Sequence, residues 1–348
     1  MGAGVPDSST VPRAEASPRD GGRAVAPASV VAALEPTVAA TVRAAALACR
    51  PWVGRGDKNA ADAAATSAMR TCLGAAPGTG IVVIGEGEKD DAPMLYNGEQ
   101  VGDGAGPEFE IAVDPLECTD NCADGLPGAL ATIAVAGSGA LWSPGPAFYM
   151  DKLVVGPAAR DAIDIRDEPE ANLERIAAAL HRTVDELRVI ILDKSRHEEL
   201  IARVRGAGAA VSTPSAGDVA GALAALLPDG GADVLMGIGG TPEGVLTACA
   251  VRALGGGMQG RLAPEGADEK RALAEAGADL EQVLELDDLA LGETLFAASG
   301  ISGGALLRAP WESAGATHTE SILVTAGTVR RVVEYAVEDR TPGATDHG

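Results

Sequence analysis

The chain has 348 residues, 46% of them hydrophobic and only 3% aromatic, so a substantial core built mainly from Ala, Val, Leu and Ile is expected. A formal charge of -23 excludes nucleic acid and anionic membrane surfaces as natural partners. It would also repel an anionic small molecule, unless bound cations reversed the local field.

The five cysteines, Cys49, Cys72, Cys118, Cys122 and Cys249, are odd in number and scattered. They fit a reducing cytoplasm and not a disulfide framework. No uninterrupted apolar run approaches the roughly 20 residues that cross a bilayer. The N-terminus lacks the apolar core of a signal peptide.

Residues 1–28 are rich in Pro, Ser, Gly and Asp without periodicity and read as a disordered tail. An Ala-rich helix follows, with a start expected near Pro36, a residue suited to a first helical position. The next helix runs from Lys58 to Leu73, capped by Asp57 or Asn59 and closed by Gly74. A short buried strand, Ile81 to Ile84, leads into Gly85-Glu86-Gly87-Glu88. Phe109, Ile111 and Val113 alternate with Glu108, Glu110 and Ala112, which predicts a strand with one buried face, ending at Asp114.

From Arg188 the pattern becomes strand 188–193, helix 196–205, strand 209–212, helix 217–227, strand 233–237, helix 242–254 and strand 257–262. That alternation predicts parallel strands joined by crossover helices. Ile322 to Val337, around Ala326-Gly327, reads as a β-hairpin. The fold class is therefore α/β, an α+β first half followed by an α/β second half with no flexible linker.

Three acidic segments stand where regular elements start or stop. Asp62 lies four residues after Lys58 on the same helix face. Glu86 and Glu88 follow a buried strand and precede Asp90 and Asp91. Asp114 and Glu117 flank the end of the next strand, separated by Pro115 and Leu116. Hard divalent cations take a few carboxylates plus water and phosphate oxygens. Two such ions can hold an attacking water and a leaving oxygen together. A helix opening at Cys118-Thr119 would present backbone N–H groups to an anion, and Thr119 adds a hydroxyl. Cys118 and Cys122 have no partner pair for a structural zinc. A single acid in so acidic a chain is most simply a solvated one, and that bland alternative weakens only for Asp114 and Glu117.

The segments GRGDKNAAD (54–62), IVVIGEGEKDDAPMLYNGE (81–99), AVDPLECT (112–119), FYMDKLVVGP (148–157), LDKSRH (192–197), GDVAGAL (217–223) and GIGGTPEGV (237–245) occur in that order. Together they resemble the class II fructose-1,6-bisphosphatases, the bacterial type related to the lithium-sensitive inositol phosphatase superfamily. The resemblance implies a layered αβαβα sugar-phosphatase fold and Mg²⁺- or Mn²⁺-dependent hydrolysis of the 1-phosphate of fructose 1,6-bisphosphate, within carbohydrate metabolism and gluconeogenesis. By matching positions it implies the metal ligands Asp62, Glu86, Asp114, Glu117 and Glu243. It implies substrate contacts from Cys118, Thr119, Tyr149, Lys194, Ser195, Arg196, Ala216, Gly217, Asp218 and Gly240. Residues 29–160 would form a metal-binding unit, and 161–340 a substrate unit that contributes Glu243. A sugar bisphosphate is the implied small-molecule partner, and the resemblance alone allows a homo-oligomer.

The chemistry of these residues is consistent with those roles. Lys194 and Arg196 can neutralise the phosphate that is not cleaved. Lys58 can stabilise developing charge or pair with Asp62, while Asp57 reads as a cap. His197 could extend the Lys194 and Arg196 patch but reads more simply as a structural or surface histidine. Thr119 would position the attacking water, with no phosphoenzyme on the path. Two positions depart from the family pattern. Cys118 stands where Gly is usual, harmless at negative φ but strained at positive φ. Ala216 stands where Asp is usual. A second reading therefore assigns the same chemistry to another sugar or cyclitol phosphate, such as sedoheptulose 1,7-bisphosphate. A third, an inactive sugar-phosphate binder, has no need of five carboxylate ligands.

Overall fold

The computed structural model describes residues 29–86 and 95–337. The expected tail, 1–28, and the acids Glu88, Asp90 and Asp91 lie outside the described residues.

Helix α1 (Val30–Cys49) begins well before Pro36, which lies inside it. Ser29 Oγ accepts from the Ala32 N–H at 3.2 Å and caps the start. Val31, Leu34, Val38 and Val42 supply a buried stripe from the first turn onward, which favours extending the helix toward Ser29. The segment Val30–Trp52, although interrupted by Glu35 and Arg43, is long and apolar enough, by length and composition, to cross a bilayer. Here its stripe packs against a sheet, as in the core helix of a globular protein. Helix α2 (Lys58–Leu73) is capped by the Asp57 carboxylate, which accepts from Ala60 N–H at 3.0 Å, and ends at Gly74.

The chain then forms β1 (Thr79–Ile84), β2 (Gln100–Val101), β3 (Glu108–Glu117), α3 (Thr119–Asp124), β4 (Leu130–Gly137), β5 (Tyr149–Val155), α4 (Pro169–Ala179) and β6 (Arg188–Ile190). Next come α5 (Glu198–Gly206), β7 (Ala210–Ser212), α6 (Asp218–Leu226), β8 (Val234–Gly240), α7 (Thr241–Leu254), β9 (Gly257–Leu262), α8 (Ala267–Glu275), β10 (Leu284–Glu285) and α9 (Leu286–Leu289). Strands β11 (Thr294–Gly300), β12 (Trp311–Ser313), β13 (Ala316–Thr325) and β14 (Thr328–Val337) are the last of the described elements.

Two mixed sheets result. The first has the order β12-β13-β11-β4-β3-β1-β2, with β14 also on β13. The second has the order β10-β9-β5-β8-β6-β7. Side-chain alternation along the strands sorts the layers. Ile111, Val113, Ile133 and Val135 face α1 and α2. Ala112, Ala134, Ala136 and Ala298 face the opposite way, onto α6 and α7. Met150, Val154 and Leu235 of the second sheet cover the other side of those two helices. Leu153, Val155 and Val189 face outward onto Leu173 and Ile176 of α4 and Ile201 and Val204 of α5. The stacking is αβαβα. Small alanines line the first sheet's inner face, so α7 can lie close to it.

The parallel pattern expected after Arg188 holds for β6, β7 and β8. It is interrupted beyond them. Strand β5 lies between β8 and β9 and is antiparallel to both. The β8-α7-β9 crossover therefore keeps its direction but skips one strand, filled by a segment from far earlier in the chain. The C-terminal hairpin is longer than expected, pairing Ala316–Thr325 with Thr328–Val337, and joins the first sheet through β11. Neither sheet is a contiguous stretch of sequence, since β5 belongs to the second and β11 to β14 to the first.

Candidate active site

Strand β3 does not end at Asp114 but continues to Glu117 through a β-bulge. Asp114 pairs with Thr132 and Glu117 with Leu130, so three steps on β3 answer two on β4. In a regular strand, residues three apart point to opposite faces. The extra residue restores the parity and brings both carboxylates to one face. Pro115, which has no N–H to donate, is tolerated at the irregularity. The Asp114 carboxylate accepts from Leu116 N–H at 3.1 Å and braces the bulge.

Two helices of the central layer begin opposite this bulge. The second residue of α6, Val219, donates its N–H to Glu117 Oε1 at 3.2 Å. Helix α7 carries Glu243 in its first turn. The carboxylate folds back over Gly240, where an added Cβ would meet Glu243 Oε2 at 1.7 Å. A side chain at 240 would displace that carboxylate, so the glycine is required by close approach.

Burial is the main cause that pushes the carboxyl pKa of Asp114 well above its ordinary value, followed by repulsion from Glu243, Glu86 and Glu117. Burial likewise raises Glu117, followed by Asp218 and Glu243. Glu243 is raised by burial and then by Asp218. Glu86, Asp114, Glu117, Asp218 and Glu243 thus share one field. Asp62, on α2, acts on the thiol of Cys49. Glu117 Oε2 and Glu243 Oε2 are buried without a hydrogen-bond partner. Among the described residues, no three carboxylate, thiol or imidazole groups already gather tightly around one point. The donor chemistry nevertheless suits a hard divalent cation: all-oxygen, anionic, and with two buried oxygens unsatisfied by protein.

Thr119 donates its hydroxyl proton to Leu116 C=O at 3.0 Å, which leaves the oxygen as an acceptor. Cys118 has φ 62° and ψ 50°, so the position does demand the left-handed conformation, and Cys adopts it at a cost of roughly 1–2 kcal/mol. Burial, then Glu117 and Asp114, drives its thiol strongly upward, which favours the protonated form. Lys58 pairs with the exposed Asp120 of α3 instead of Asp62.

On the substrate side, Lys194 and Ser195 are exposed before α5. Arg196 donates to Ile238 C=O at 3.1 Å and to Glu265 at 2.9 Å, and lies over the Tyr149 ring at 5.1 Å from its centroid. His197 is buried and structural: Ile238 N–H donates to its Nε2 at 2.8 Å, and its Nδ1 faces Leu192 C=O at 2.8 Å. Gly217 opens α6 at φ 98°, and Asp218 follows as its first residue. Ala216 and Gly217 help line a cavity of about 520 Å³ with Leu126, Leu130, Ile190 and Leu306.

Two residues here escaped the sequence. Buried Glu269 accepts from Phe148 N–H at 2.6 Å and Tyr149 N–H at 3.1 Å, fixing the start of β5. Lys152, 1% exposed, donates to Asp218 and to Gly240 C=O. The only signal for it was a lysine alternating with Met150 and Val154 on an otherwise apolar face.

Residues 32–336 match the family described as bacterial fructose-1,6-bisphosphatase, glpX-encoded. The fructose-1,6-bisphosphatase class 2 of Haemophilus influenzae is 43% identical over 305 residues, covering 83% of this chain and 91% of that one. The D-fructose 1,6-bisphosphatase class 2/sedoheptulose 1,7-bisphosphatase of Thermosynechococcus vestitus is 43% identical over 310 residues, 81% of this chain and 89% of the other. Its namesake in Prochlorococcus marinus is 44% identical over 280 residues, 76% and 84% of the two chains. Buried carboxylates gathered by a bulge and two helix starts, in a layered αβαβα fold, accord with a match of that extent, and the chain belongs to the glpX-encoded bacterial fructose-1,6-bisphosphatase family.

Proposed function

We propose that this chain hydrolyses fructose 1,6-bisphosphate to fructose 6-phosphate and phosphate, with Mg²⁺ or Mn²⁺ held by Asp62, Glu86, Asp114, Glu117 and Glu243. The observation that carries most weight is the β3 bulge, which sets Asp114 and Glu117 on one face opposite Glu243. Bound divalent cations would supply an activated water and shield the phosphate's charge. The protein's own groups would do the rest. Thr119 Oγ1, its O–H already directed to Leu116 C=O, would accept from the attacking water and orient it. The Arg196 guanidinium, held by Ile238 and Glu265, and the exposed Lys194 would grip the phosphate that stays on the sugar. Tyr149, stacked under Arg196, Ser195 beside it, and the turn Ala216-Gly217-Asp218 would bound the sugar. Five free thiols suit a reducing cytoplasm.

A second substrate is favoured by one observation: Ala216 lines a roomy cavity where a carboxylate was expected. Sedoheptulose 1,7-bisphosphate, named for two of the relatives above, fits that reading. Phosphate release should be measured over a panel of sugar phosphates with Mg²⁺ or Mn²⁺, with Glu243→Ala as control. Release from fructose 1,6-bisphosphate that is lost in the variant supports the proposal, and no release from any of them rejects it.

A further inference from the structure

Lys152 occupies a position the fold would ordinarily give to an aliphatic residue. It lies in the middle of β5, between Met150 and Val154, on the face that packs against α6 and α7. A buried ammonium is costly unless it is paired and hydrogen-bonded. The surrounding backbone is cut away to make that possible. A Cβ on Gly239 would stand 2.9 Å from Lys152 Nζ and 2.2 Å from Asp218 Oδ2, so the bare backbone there leaves room for the pair.

The partners of Nζ define what it does. One is the carboxylate of Asp218, the first residue of α6, whose next residue holds Glu117 through the Val219 N–H. The other is the carbonyl of Gly240, at 2.8 Å, the N-cap residue of α7, which carries Glu243. One side chain therefore ties together the two helix starts that complete the acid cluster. It is also the charge that opposes the rise in the carboxyl groups of Glu117 and Glu243.

We infer that Lys152 is a positioning residue for the hydrolysis proposed above: it holds the α6 and α7 starts in register, so that Glu243, Glu117 and the Ala216-Gly217-Asp218 turn face the same substrate. It rests on the cation reading of the cluster. A positioning cation differs from a merely structural one in a measurable way. Removing a positive charge from beside carboxylates favours cation binding, while loosening the two helix starts slows turnover.

The test is Lys152→Met, assayed by titrating Mn²⁺ against the substrate-free enzyme with electron paramagnetic resonance of the free ion, and by steady-state kinetics. The expected result is Mn²⁺ binding at least as tight as in the parent, with kcat lowered about 100-fold and a smaller change in KM. Turnover within about twofold of the parent, or parallel loss of Mn²⁺ affinity, thermal stability and kcat, overturns the inference. If the single variant does not fold, Lys152→Met/Asp218→Asn removes the uncompensated charge and is compared with Asp218→Asn alone. A further fall in kcat supports positioning, and equal kcat overturns it. A parent enzyme that binds no Mn²⁺ overturns the cation reading and this inference with it. A parent that binds Mn²⁺ and is indistinguishable from Lys152→Met overturns the inference alone.

Discussion

Cys118 and Gly217 open helices α3 and α6 from the same left-handed backbone conformation, and they face one another: a Cβ on Gly217 would stand 3.4 Å from Cys118 Sγ. The two turns that flank the acid cluster from opposite halves of the molecule are therefore in van der Waals reach. Gly217 leaves room for the sulfur, and Cys118 bears the conformational cost that glycine would avoid.

Gly217→Ala tests which constraint matters more, φ or space. A contact of 3.4 Å is ordinary, whereas φ 98° is strained for any L side chain. The expected loss is about 1–2 kcal/mol in chemical denaturation, with reduced kcat/KM. Adding Cys118→Gly should leave that loss nearly intact, because the dihedral and not the sulfur causes it. Full rescue in the double variant would assign the loss to the contact instead.

Stability without added divalent cation should fall as pH rises. The folded carboxyl groups of Asp114, Glu117 and Glu243 titrate above their ordinary values of 3.8, 4.5 and 4.5. Between those values and the raised ones, the folded state binds more protons than the unfolded state, so stability declines with pH. Below the ordinary values the penalty is absent; above the raised ones it is complete. Thermal melts in a chelator across that range should show the decline. Mn²⁺ or Mg²⁺ should reverse it most strongly at the alkaline end, because cations bind the deprotonated acids. A flat profile in chelator would contradict the burial and mutual repulsion that raise these groups.

The same repulsion predicts that activity and stability oppose each other at Glu243. Glu243→Gln keeps the shape and removes one buried charge from beside Asp218 and Asp114. The chelated protein should gain about 0.5–2 kcal/mol, while phosphate release and the Mn²⁺-induced rise in Tm are largely lost. Loss of stability in chelator would mean that the Glu243 carboxylate makes a stabilising contact with the protein itself.

The sequence made the strand-end acids legible because Asp114 and Glu117 follow an alternating apolar run. It did not reveal why they cooperate. A bulge at Pro115-Leu116 is a matter of pairing with β4, and register lies in the partner strand and not in local periodicity. The place of strand β5 between β8 and β9 was not legible for a similar reason: those partners are remote in sequence, and no turn specifies the pairing. Lys152 was overlooked because a charged residue in a strand is normally a solvated one. The start of α1 was missed because Pro36 drew the boundary, whereas Ser29 and the Val31-Leu34-Val38 stripe set it.

His197 should prove structural and pH-sensitive in the acid direction. Its Nε2 must be unprotonated to accept from Ile238 N–H, and burial holds its pKa below the ordinary 6.5. This contribution is intact above that value and is lost as pH falls through the folded pKa, the opposite trend to the carboxylates. His197→Phe leaves the Ile238 N–H without its imidazole acceptor, at about 1–3 kcal/mol, while the Leu192 C=O keeps the Lys194 N–H. Because Arg196 also rests on Ile238 C=O, KM should rise more than kcat falls. Unchanged KM in a destabilised variant would separate the histidine from substrate binding.

Ala216 offers the sharpest test of substrate preference. It borders a cavity whose lining includes Leu126, Leu130, Ile190 and Leu306, so a carboxylate introduced there meets mainly apolar surface on that side. Ala216→Asp should therefore lose some stability, about 1 kcal/mol in chemical denaturation. If the missing carboxylate limits sugar recognition, the variant should raise kcat/KM for fructose 1,6-bisphosphate relative to sedoheptulose 1,7-bisphosphate, because a new hydrogen-bond acceptor discriminates between sugars that differ in hydroxyl placement. The ratio of the two kcat/KM values, measured in one preparation with the same cation, is the deciding quantity. It cancels any common loss from destabilisation, and an unchanged ratio would reject residue 216 as a determinant of substrate choice.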